Sequence, residues 1–306
     1  MRRRLDAELV RRRLVESREQ AHRSIADRRV RVSGTIAEKP ARLVGPGEPI
    51  EMLGEGPRYV SRGGEKLHGA LAHFAITVEG LDAFDAGAST GGFTDCLLRH
   101  GARSVVAVDV GHGQLHERIR RDERVEVHER VNLRTIDPAE SFGGRRFPVV
   151  VGDLSFISLT ALAGNLLALA GRSADLVLLV KPQFEAGRVE VARGRGVITD
   201  PSIWCRTLTT VTDAFTGRGA AMIGCMVSPI TGTDGNVEFL AHLRAPDAAA
   251  GIGGVTANSA DAATSLIEAA VEAARSRRDG PPEMTEPTEA TEMTEPTEPA
   301  AFTVAP

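Results

Sequence analysis

Two lysines and two carboxylates occupy positions where the sequence predicts the edge of a sheet. Asp153 follows the apolar run Val-Val-Val-Gly, and Lys181 follows Leu-Val-Leu-Leu-Val. Glu238 is expected early in an antiparallel last strand, and Lys66 on a helix that leads into the sheet. Ligand chemistry in open α/β sheets occurs at the carboxyl ends of the strands, so we expect the four side chains to converge there. One such residue alone is typical of an ordinary ion pair, but four at one edge favour a functional site.

Amines and carboxylates in such a cluster are suited to removing a proton from a weakly acidic hydroxyl. Desolvation and neighbouring positive charge lower the pKa of a lysine, while carboxylates orient its amine. We expect Lys181 to be the proton acceptor or its activator, with Lys66 tuning and positioning. Asp153 is expected to orient an amine, and Glu238 to hold the lysines.

A glycine-rich turn follows the first predicted strand of the large domain and opens a helix. Glycines let the backbone approach a ligand closely, and a helix N-terminus offers free amide groups. Asp109 ends the next strand, 18 residues after Gly91, where a carboxylate can accept hydrogen bonds from a ribose diol. The predicted cofactor contacts are Asp85, Gly87, Ala88, Ser89, Thr90, Gly91 and Asp109.

The same turn bears on which adenosyl cofactor binds. A dinucleotide such as NAD needs a Gly-x-Gly-x-x-Gly loop around its pyrophosphate. Here residues 87–92 read Gly-x-x-x-Gly-Gly, and Ser89 stands where the second glycine would be. This departure favours S-adenosylmethionine over NAD. A role for Asp109 as a helix-capping or surface carboxylate is the alternative.

The neighbouring residues indicate which atom would accept a methyl group. Amino-directed methyltransferases show Asp or Asn before Pro-Pro and an aromatic residue, but Asp153 is followed by Leu-Ser-Phe. Carbon-directed pyrimidine enzymes use a nucleophilic cysteine, usually after proline, but Cys96, Cys205 and Cys225 follow Asp, Trp and Gly. A hydroxyl oxygen remains as the expected acceptor. Three scattered cysteines also exclude a disulfide framework and a CxxC metal site, so we predict no metal and a reducing cytoplasm.

The order of predicted elements is typical of a doubly wound, parallel α/β sheet. The first strand ends at 85, and later strands span 105–109, 125–127, 149–153, 176–181, 221–227 and 237–244. Predicted helices span 92–100, 114–120, 158–170 and 200–217, and Ser259 is expected to cap a final helix. The last two strands are joined without a helix, so they should pair antiparallel.

The N-terminal region is strongly basic. Residues 1–35 hold eleven Arg against five acidic residues. Ser17 with Gln20 reads as a capping box, so two Arg-rich helices and a small hairpin form an α+β module. Guanidinium groups grip phosphates bidentately, which favours RNA binding over a merely solvated helical face. With one Trp and one Tyr in the chain, recognition of RNA shape and backbone fits better than base stacking. The predicted RNA contacts are Arg4, Arg11, Arg18, Arg23 and Arg28.

Five motifs together resemble the TlyA or hemolysin A family of bacterial ribosomal RNA 2′-O-methyltransferases. They are SRGGEKL at 61–67, DAGASTGGFT at 85–94, DLSFISL at 153–159, KPQFE at 181–185 and GNVEF at 235–239. The resemblance, over residues 3–275, implies an S4-like RNA-binding domain followed by an FtsJ-like domain. That domain would have the Rossmann-like, seven-stranded, class I fold of methyltransferases that use S-adenosylmethionine. The family's Lys-Asp-Lys-Glu catalytic set falls on Lys66, Asp153, Lys181 and Glu238.

The resemblance also implies a substrate and a biological setting. The expected reaction is methylation of the ribose 2′-hydroxyl of cytidines in 16S and 23S rRNA within ribosomal subunits. In actinobacteria the family also implies sensitivity to capreomycin-type antibiotics. One departure is the loop at 186–199, where the family usually carries a short Lys/Gly-rich segment. Here Arg188, Arg193 and Arg195 keep the positive charge.

The predicted domains are 1–55 for the S4-like module, 56–65 for a linker, 66–278 for the methyltransferase, and 279–306 for a disordered acidic tail. The tail is a near-repeat of Glu, Thr and Pro, and no function is assigned to it. The alternatives are a membrane-active hemolysin and a non-catalytic S4-type RNA-binding protein. The hemolysin alternative depends on residues 154–171, which carry no charge. Four polar residues in that segment favour a core helix instead, so no membrane span is predicted.

Overall fold

The N-terminal module contains two helices and short paired strands. The computed structural model describes residues 2–15, 17–54, 56–232, 234–247 and 260–279. The elements of the module are β1 (Arg3–Arg4), α1 (Leu5–Arg11), α2 (Arg18–Ala26), β2 (Val30–Val32), β3 (Thr35–Ile36), β4 (Leu43–Val44) and β5 (Ile50–Met52). The expected helix cap is confirmed, because Ser17 Oγ accepts a hydrogen bond of 3.1 Å from Gln20 N. Buried apolar residues of both helices and of β2 form a small core.

The large domain is built on one seven-stranded sheet. Its strands are β6 (Asp82–Ala86), β7 (Ser104–Asp109), β8 (Val125–Glu129), β9 (Phe147–Gly152), β10 (Ala170–Val180), β11 (Ala221–Val227) and β12 (Phe239–Arg244). Their order across the sheet is β11-β12-β10-β9-β6-β7-β8. β12 runs antiparallel to both of its neighbours, and the other pairs are parallel. The predicted α/β class and the antiparallel last pair are confirmed.

Helices cover both faces of this sheet. One face carries α3 (Gly63–His73), α4 (Gly92–Arg99) and α5 (Glu117–Arg120), and the other carries α6 (Ala163–Leu169), α9 (Pro201–Thr216) and α10 (Ala260–Asp279). Two short helices, α7 (Pro182–Glu185) and α8 (Arg188–Arg193), follow β10. Side chains alternate between the two faces of a strand. Val149 and Val151 of β9 therefore face the helices α3, α4 and α5, and Val150 faces α6, α9 and α10.

Several element boundaries differ from the prediction. The helix expected over 158–170 is a 3-10 turn, Leu159–Ala161, followed by α6. β10 begins at Ala170 rather than 176, and its register shifts between Ala170 and Asp175. The small and polar residues of that first part carry no apolar alternation, so the pattern could not reveal it. β12 begins at Phe239, which leaves Glu238 just before the strand.

The helix expected to carry Lys66 is α3, which begins at Gly63, inside the segment 56–65 that the sequence predicts as a linker. Glycine disfavours helices, which hides this start in the sequence. The reason for glycine is close packing: a Cβ on Gly64 would lie 2.3 Å from the Tyr59 ring. The helix that carries Lys66 is therefore set directly against the chain that leads into the domain.

The uncharged segment 154–171 is divided among a loop, a 3-10 turn, α6 and the start of β10. Within the described ranges, no helix combines the length and the apolar character needed to cross a bilayer. The final helix is confirmed as α10, while its expected cap, Ser259, and the tail beyond Asp279 lie outside the described residues. Among the residues that the structure describes, no three His, Cys, Asp or Glu side chains group as metal ligands.

Candidate active site

The strand order reverses at the centre of the sheet. From β6 the chain moves outward through β7 and β8, then returns to β9 on the other side of β6. In open α/β sheets, ligands bind at the carboxyl ends of the strands at such a switch point. A cleft of about 480 Å³ lies there, within the usual range for small-molecule sites. Its lining includes Gly87, Ser89, Asp109, Gln114, Asn132, Asp153 and Phe156.

The glycine-rich turn forms one wall of the cleft. Gly87 has a φ of +84°, and a Cβ there would lie 2.8 Å from the carbonyl oxygen of Asp153. Only glycine therefore lets the loops after β6 and β9 meet. Of the predicted cofactor contacts in this turn, Gly87 and Ser89 line the cleft, Gly91 is the N-cap of α4, Ala88 is buried and Thr90 lines a separate groove beside α2.

Asp109, at the end of β7, bridges two loops of the cleft. Its Oδ2 accepts a 2.8 Å hydrogen bond from Ser89 N, and its Oδ1 accepts a 2.7 Å bond from Gly111 N. Each carboxylate oxygen has a second acceptor position. The residue expected to bind a ribose diol therefore also fixes the turn, and it keeps acceptor capacity for a ligand.

Asp85 is fully buried, two residues before Gly87. Thr94 Oγ1 donates a 2.6 Å hydrogen bond to its Oδ2, while Oδ1 has no hydrogen-bond partner. Burial is the main cause that raises the pKa of this carboxyl to about 7, and the Thr94 hydrogen bond opposes it. A buried acceptor without a partner is costly, and a cationic ligand with donor groups would compensate it. S-adenosylmethionine carries a sulfonium and an ammonium group, so the Asp85 oxygen without a partner fits that cofactor.

The predicted catalytic residues form two ion pairs. Lys66 Nζ lies 2.6 Å from Glu238 Oε2, and the two side chains are 10% and 3% exposed. Lys181 Nζ lies 2.5 Å from Asp153 Oδ1, outside hydrogen-bond geometry, and donates a 2.9 Å hydrogen bond to Ser155 Oγ. Glu238 thus holds Lys66 alone, contrary to the expectation that it holds both lysines. The reason is that Lys181 forms its ion pair with Asp153, on the loop after β9.

The first turn of α3 brings the two ion pairs near each other. A Cβ on Gly63, three residues before Lys66, would lie 3.7 Å from Asp153 Oδ2. The same turn packs on the start of α4, where a Cβ on Gly92 would meet Ser61 Oγ at 2.2 Å and Gly64 N at 2.9 Å. Glycines thus allow α3, the cofactor turn and the loop after β9 to meet at one place.

A fully buried carboxylate organises part of the basic surface of the N-terminal module. Asp6 accepts hydrogen bonds from Arg4 Nη2 at 2.9 Å and Arg18 Nη2 at 2.8 Å, and it lies 2.8 Å from His22 Nε2. The arginine hydrogen bonds hold the pKa of Asp6 far below its usual range, against the opposing effect of burial. The side chains of Arg4 and Arg18 remain 48% and 60% exposed. Asp6 therefore fixes two guanidinium groups at the surface.

The other predicted RNA contacts have different surroundings. Glu8 is buried and pairs with Arg11 at 2.6 Å and Arg12 at 2.8 Å, and their hydrogen bonds lower its pKa to about 2. Arg28 is exposed and lies 3.5 Å from Glu38. Arg23 lines the groove beside the cofactor turn with Thr90.

Comparison with known proteins decides the family. A sequence model of FtsJ-like methyltransferases matches residues 59–245, and one of the S4 domain matches residues 3–50. A relative from Mycobacterium tuberculosis, named 16S/23S rRNA (cytidine-2′-O)-methyltransferase TlyA, is 48% identical over 242 residues. That alignment covers 79% of this chain and 89% of the relative. The chain belongs to the TlyA family of FtsJ-like methyltransferases.

Two further similarities support this membership. Hemolysin A of Brachyspira hyodysenteriae is 40% identical to this TlyA-family chain over 227 residues, which cover 74% of the chain and 93% of that protein. A solved structure described as a hemolysin from Streptococcus thermophilus is 37% identical with a TM-score of 0.69, and the match covers 91% of this chain and 99% of that one. The matches to the S4 and FtsJ-like methyltransferase models confirm the predicted S4-like module and the choice of S-adenosylmethionine as cofactor.

Sequence reasoning missed two residues of the site. Phe156 is 92% exposed, lines the cleft, and has a φ of +65° that is strained for a bulky side chain. The low content of Trp and Tyr predicts little base stacking, but the chain also has ten Phe residues, of which Phe156 is exposed at the cleft. Glu185, in the KPQFE motif, accepts hydrogen bonds from the loop that carries Phe156. Its place in a short motif after Lys181 was the available signal.

The contact at Gly92 gives a first prediction for this TlyA-family protein. Gly92→Ala puts a methyl group against backbone atoms of α3, so the helix that carries Lys66 must shift. We expect methyl transfer to fall at least about tenfold, because small displacements of catalytic groups have large effects on rate. Removal of the Ser61 hydroxyl in Gly92→Ala/Ser61→Ala should not restore activity, since Gly64 N still blocks the methyl group. Full activity in Gly92→Ala would show that this contact does not set the site.

Proposed function

We propose that this TlyA-family chain transfers a methyl group from S-adenosylmethionine to the ribose 2′-hydroxyl of cytidine in 16S or 23S rRNA, or in both. The name of the Mycobacterium tuberculosis relative supports the substrate. The observation that carries the proposal is the Lys181–Asp153 pair at the cofactor cleft, where Asp153 is part of the lining. An amine and a carboxylate at that point suit a hydroxyl as acceptor.

Each ion pair has a separate part in this proposal. S-adenosylmethionine supplies an electrophilic methyl group when it is bound. Lys181 polarises the 2′-hydroxyl while it is an ammonium, or takes the hydroxyl proton once the amine has given up its own proton, and Asp153 with Ser155 fixes the direction of the amine. Lys66, held by the more buried Glu238, provides positive charge on the α3 side of the same site.

Phe156 gives the target nucleoside a surface to stack on. Its ring lies 5.2 Å from the Phe184 ring, and Lys181 Nζ lies 5.7 Å from the centre of that second ring. Proteins read RNA mainly at unstacked nucleotides, whose bases stack on aromatic side chains. An exposed ring beside the proposed proton acceptor suits a base that has left its helix.

The S4 module supplies contacts to the RNA backbone. Arg4 and Arg18 are exposed and fixed by Asp6, so little side-chain entropy is lost when they bind phosphate. Arg11, held by Glu8, extends the same basic surface. We assign Arg23 and Arg28 to the same RNA surface. The partner is rRNA within ribosomal subunits, which places the reaction in the cytoplasm.

The double variant Arg4→Ala/Arg18→Ala tests this surface. Each lost phosphate contact should reduce the salt dependence of RNA binding, by about 0.7 to 0.9 in the slope of log K against log salt. We expect the KM for ribosomal subunits to rise and kcat to stay unchanged. Arg121→Ala/Arg275→Ala removes two exposed arginines elsewhere and is the matched control. An unchanged salt slope in the test variant would exclude Arg4 and Arg18 as phosphate contacts.

A direct assay tests the proposed reaction. The purified chain is incubated with 30S or 50S subunits and labelled S-adenosylmethionine, and the RNA is digested to nucleosides. We expect the label in 2′-O-methylcytidine. Label on a base, or no incorporation into either subunit, would overturn the proposal. RNA binding without incorporation would indicate the non-catalytic S4-type alternative.

A second candidate function comes from the hemolysin name of the Brachyspira relative. Leakage of dye from liposomes is the matching assay. Leakage that persists when Lys181 is changed would support a membrane activity separate from methyl transfer. No leakage at concentrations that methylate RNA would exclude it.

A further inference from the structure

The loop from Asp153 to Leu159 is held at its two ends by one neighbouring segment. At its beginning, Lys181 contacts Asp153 and donates a hydrogen bond to Ser155 Oγ. At its end, Glu185 receives two hydrogen bonds from the loop. Lys181 is the N-cap of α7, the short helix that follows β10, and Glu185 is its last residue. Both ends of the loop are therefore bound to the same short segment, residues 181–185.

Glu185 binds the end of the loop through both of its carboxylate oxygens. Ser158 Oγ donates to Oε2 over 2.6 Å, and Leu159 N donates to Oε1 over 2.8 Å. Ser158 also caps the 3-10 turn that follows, through its contact with Thr160 N at 3.1 Å. Hydrogen bonds to an ionised carboxylate are stronger than neutral ones. This carboxylate therefore fixes where the loop ends.

Phe156 lies between the two ends of the loop that Lys181 and Glu185 bind, and its conformation depends on both sets of contacts. Its backbone has a φ of +65°, and its ring is 92% exposed, with the Phe184 ring 5.2 Å away. Strained backbone persists only where the surroundings over-determine it. An almost fully exposed ring has little packing of its own to set its direction. The restraint must come from the loop ends.

We propose that Glu185 is a positioning residue that holds Phe156 in the orientation required to stack the target nucleoside. This role rests on the proposed function, because it presumes that an RNA base meets the ring. Glu185 acts on the reaction only through the loop. Lys181 keeps its own contacts to Asp153 and Ser155 when Glu185 is removed, so the effect falls on substrate positioning more than on proton transfer.

A double-mutant cycle between Glu185 and Phe156 tests the proposal. We expect Glu185→Ala and Phe156→Ala each to raise the KM for ribosomal subunits about tenfold, within the range for losing one stacked base. The double variant should be no worse than Phe156→Ala within about twofold, because a shared pathway makes the two effects non-additive. Glu185→Gln keeps an acceptor for Leu159 N and should recover most of the loss. Glu272→Ala, at an exposed glutamate of α10, is the matched control.

The outcomes separate this inference from the proposed function. If the increases in KM of the two single variants multiply fully in the double variant, the positioning role is overturned. It is also overturned if Glu185→Ala lowers thermal stability but leaves KM unchanged. An unchanged KM in Phe156→Ala would also overturn it. If Glu185→Ala fails to fold, Ser158→Ala removes one of the two hydrogen bonds and enters the same cycle. Failure of the wild-type chain to methylate rRNA would instead refute the proposed function.

Discussion

Lys181→Met is expected to lower the rate of rRNA methylation about 100- to 10,000-fold, the range that a positioned acid or base contributes. The Lys181 side chain is 10% exposed and its Nζ contacts both Asp153 and Ser155, so it has a fixed direction at the cofactor cleft. Methionine keeps most of the apolar stem and removes the amine. The measurement is single-turnover incorporation of a labelled methyl group into subunits.

Lys181→Arg distinguishes the two chemical roles that remain for this amine. A guanidinium keeps the positive charge but does not accept a proton at physiological pH. If Lys181 accepts the hydroxyl proton, the arginine variant should be about as slow as the methionine variant. Substantial activity in Lys181→Arg would assign the residue to charge stabilisation only. Calorimetric affinity for S-adenosylmethionine should stay within about threefold in both variants, since a larger loss would place the defect in cofactor binding.

The sheet and the place of its site could be predicted because they depend on local patterns. Apolar runs that end at Asp153 and Lys181 are typical of strands buried on both faces. The sharp glycine turn before α4 and the carboxylate at the end of β7 recur in nucleoside-binding sheets. Each of these signals lies within one strand and the turn that follows it, where spacing alone determines geometry.

The partners within the site could not be predicted, because they depend on contacts between distant segments. Lys66 and Glu238 are 172 residues apart, and nothing in either segment indicates that Glu238 accepts one lysine and not two. The choice follows from the first turn of α3, whose glycines bring it against Asp153 and the start of α4. Close packing of this kind depends on backbone positions set by the whole fold.

Phe156 shows another limit of sequence patterns. Alternating or periodic apolar residues predict burial, and a single phenylalanine in an apolar segment is expected to join the core. Its left-handed backbone turns the ring outward instead. That conformation is stabilised by Glu185 from another segment, so no local propensity encodes it. Exposed aromatic residues with strained backbones at a cleft are therefore visible only in the structure.

Lys66→Met is expected to abolish methylation and also to destabilise the fold by about 3 to 5 kcal/mol, the cost of leaving a buried charge without its partner. The charge left behind is Glu238, which is 3% exposed and has Lys66 as its ion-pair partner at 2.6 Å. Chemical denaturation measures the stability, and methyl incorporation measures the activity. Glu238→Gln should lower the stability of the fold by less than Lys66→Met does. The lysine that it leaves unpaired is nearer to solvent, and the substitution removes no volume.

The double variant Lys66→Met/Glu238→Gln separates the two effects. With both charges gone, the desolvation cost disappears, so most of the lost stability should return, as is common when a buried ion pair is replaced as a unit. Activity should stay low if Lys66 supplies positive charge to the reaction. Recovery of both stability and methylation would show that this pair only holds α3 in place. The site would then consist of Lys181, Asp153 and the cofactor turn alone.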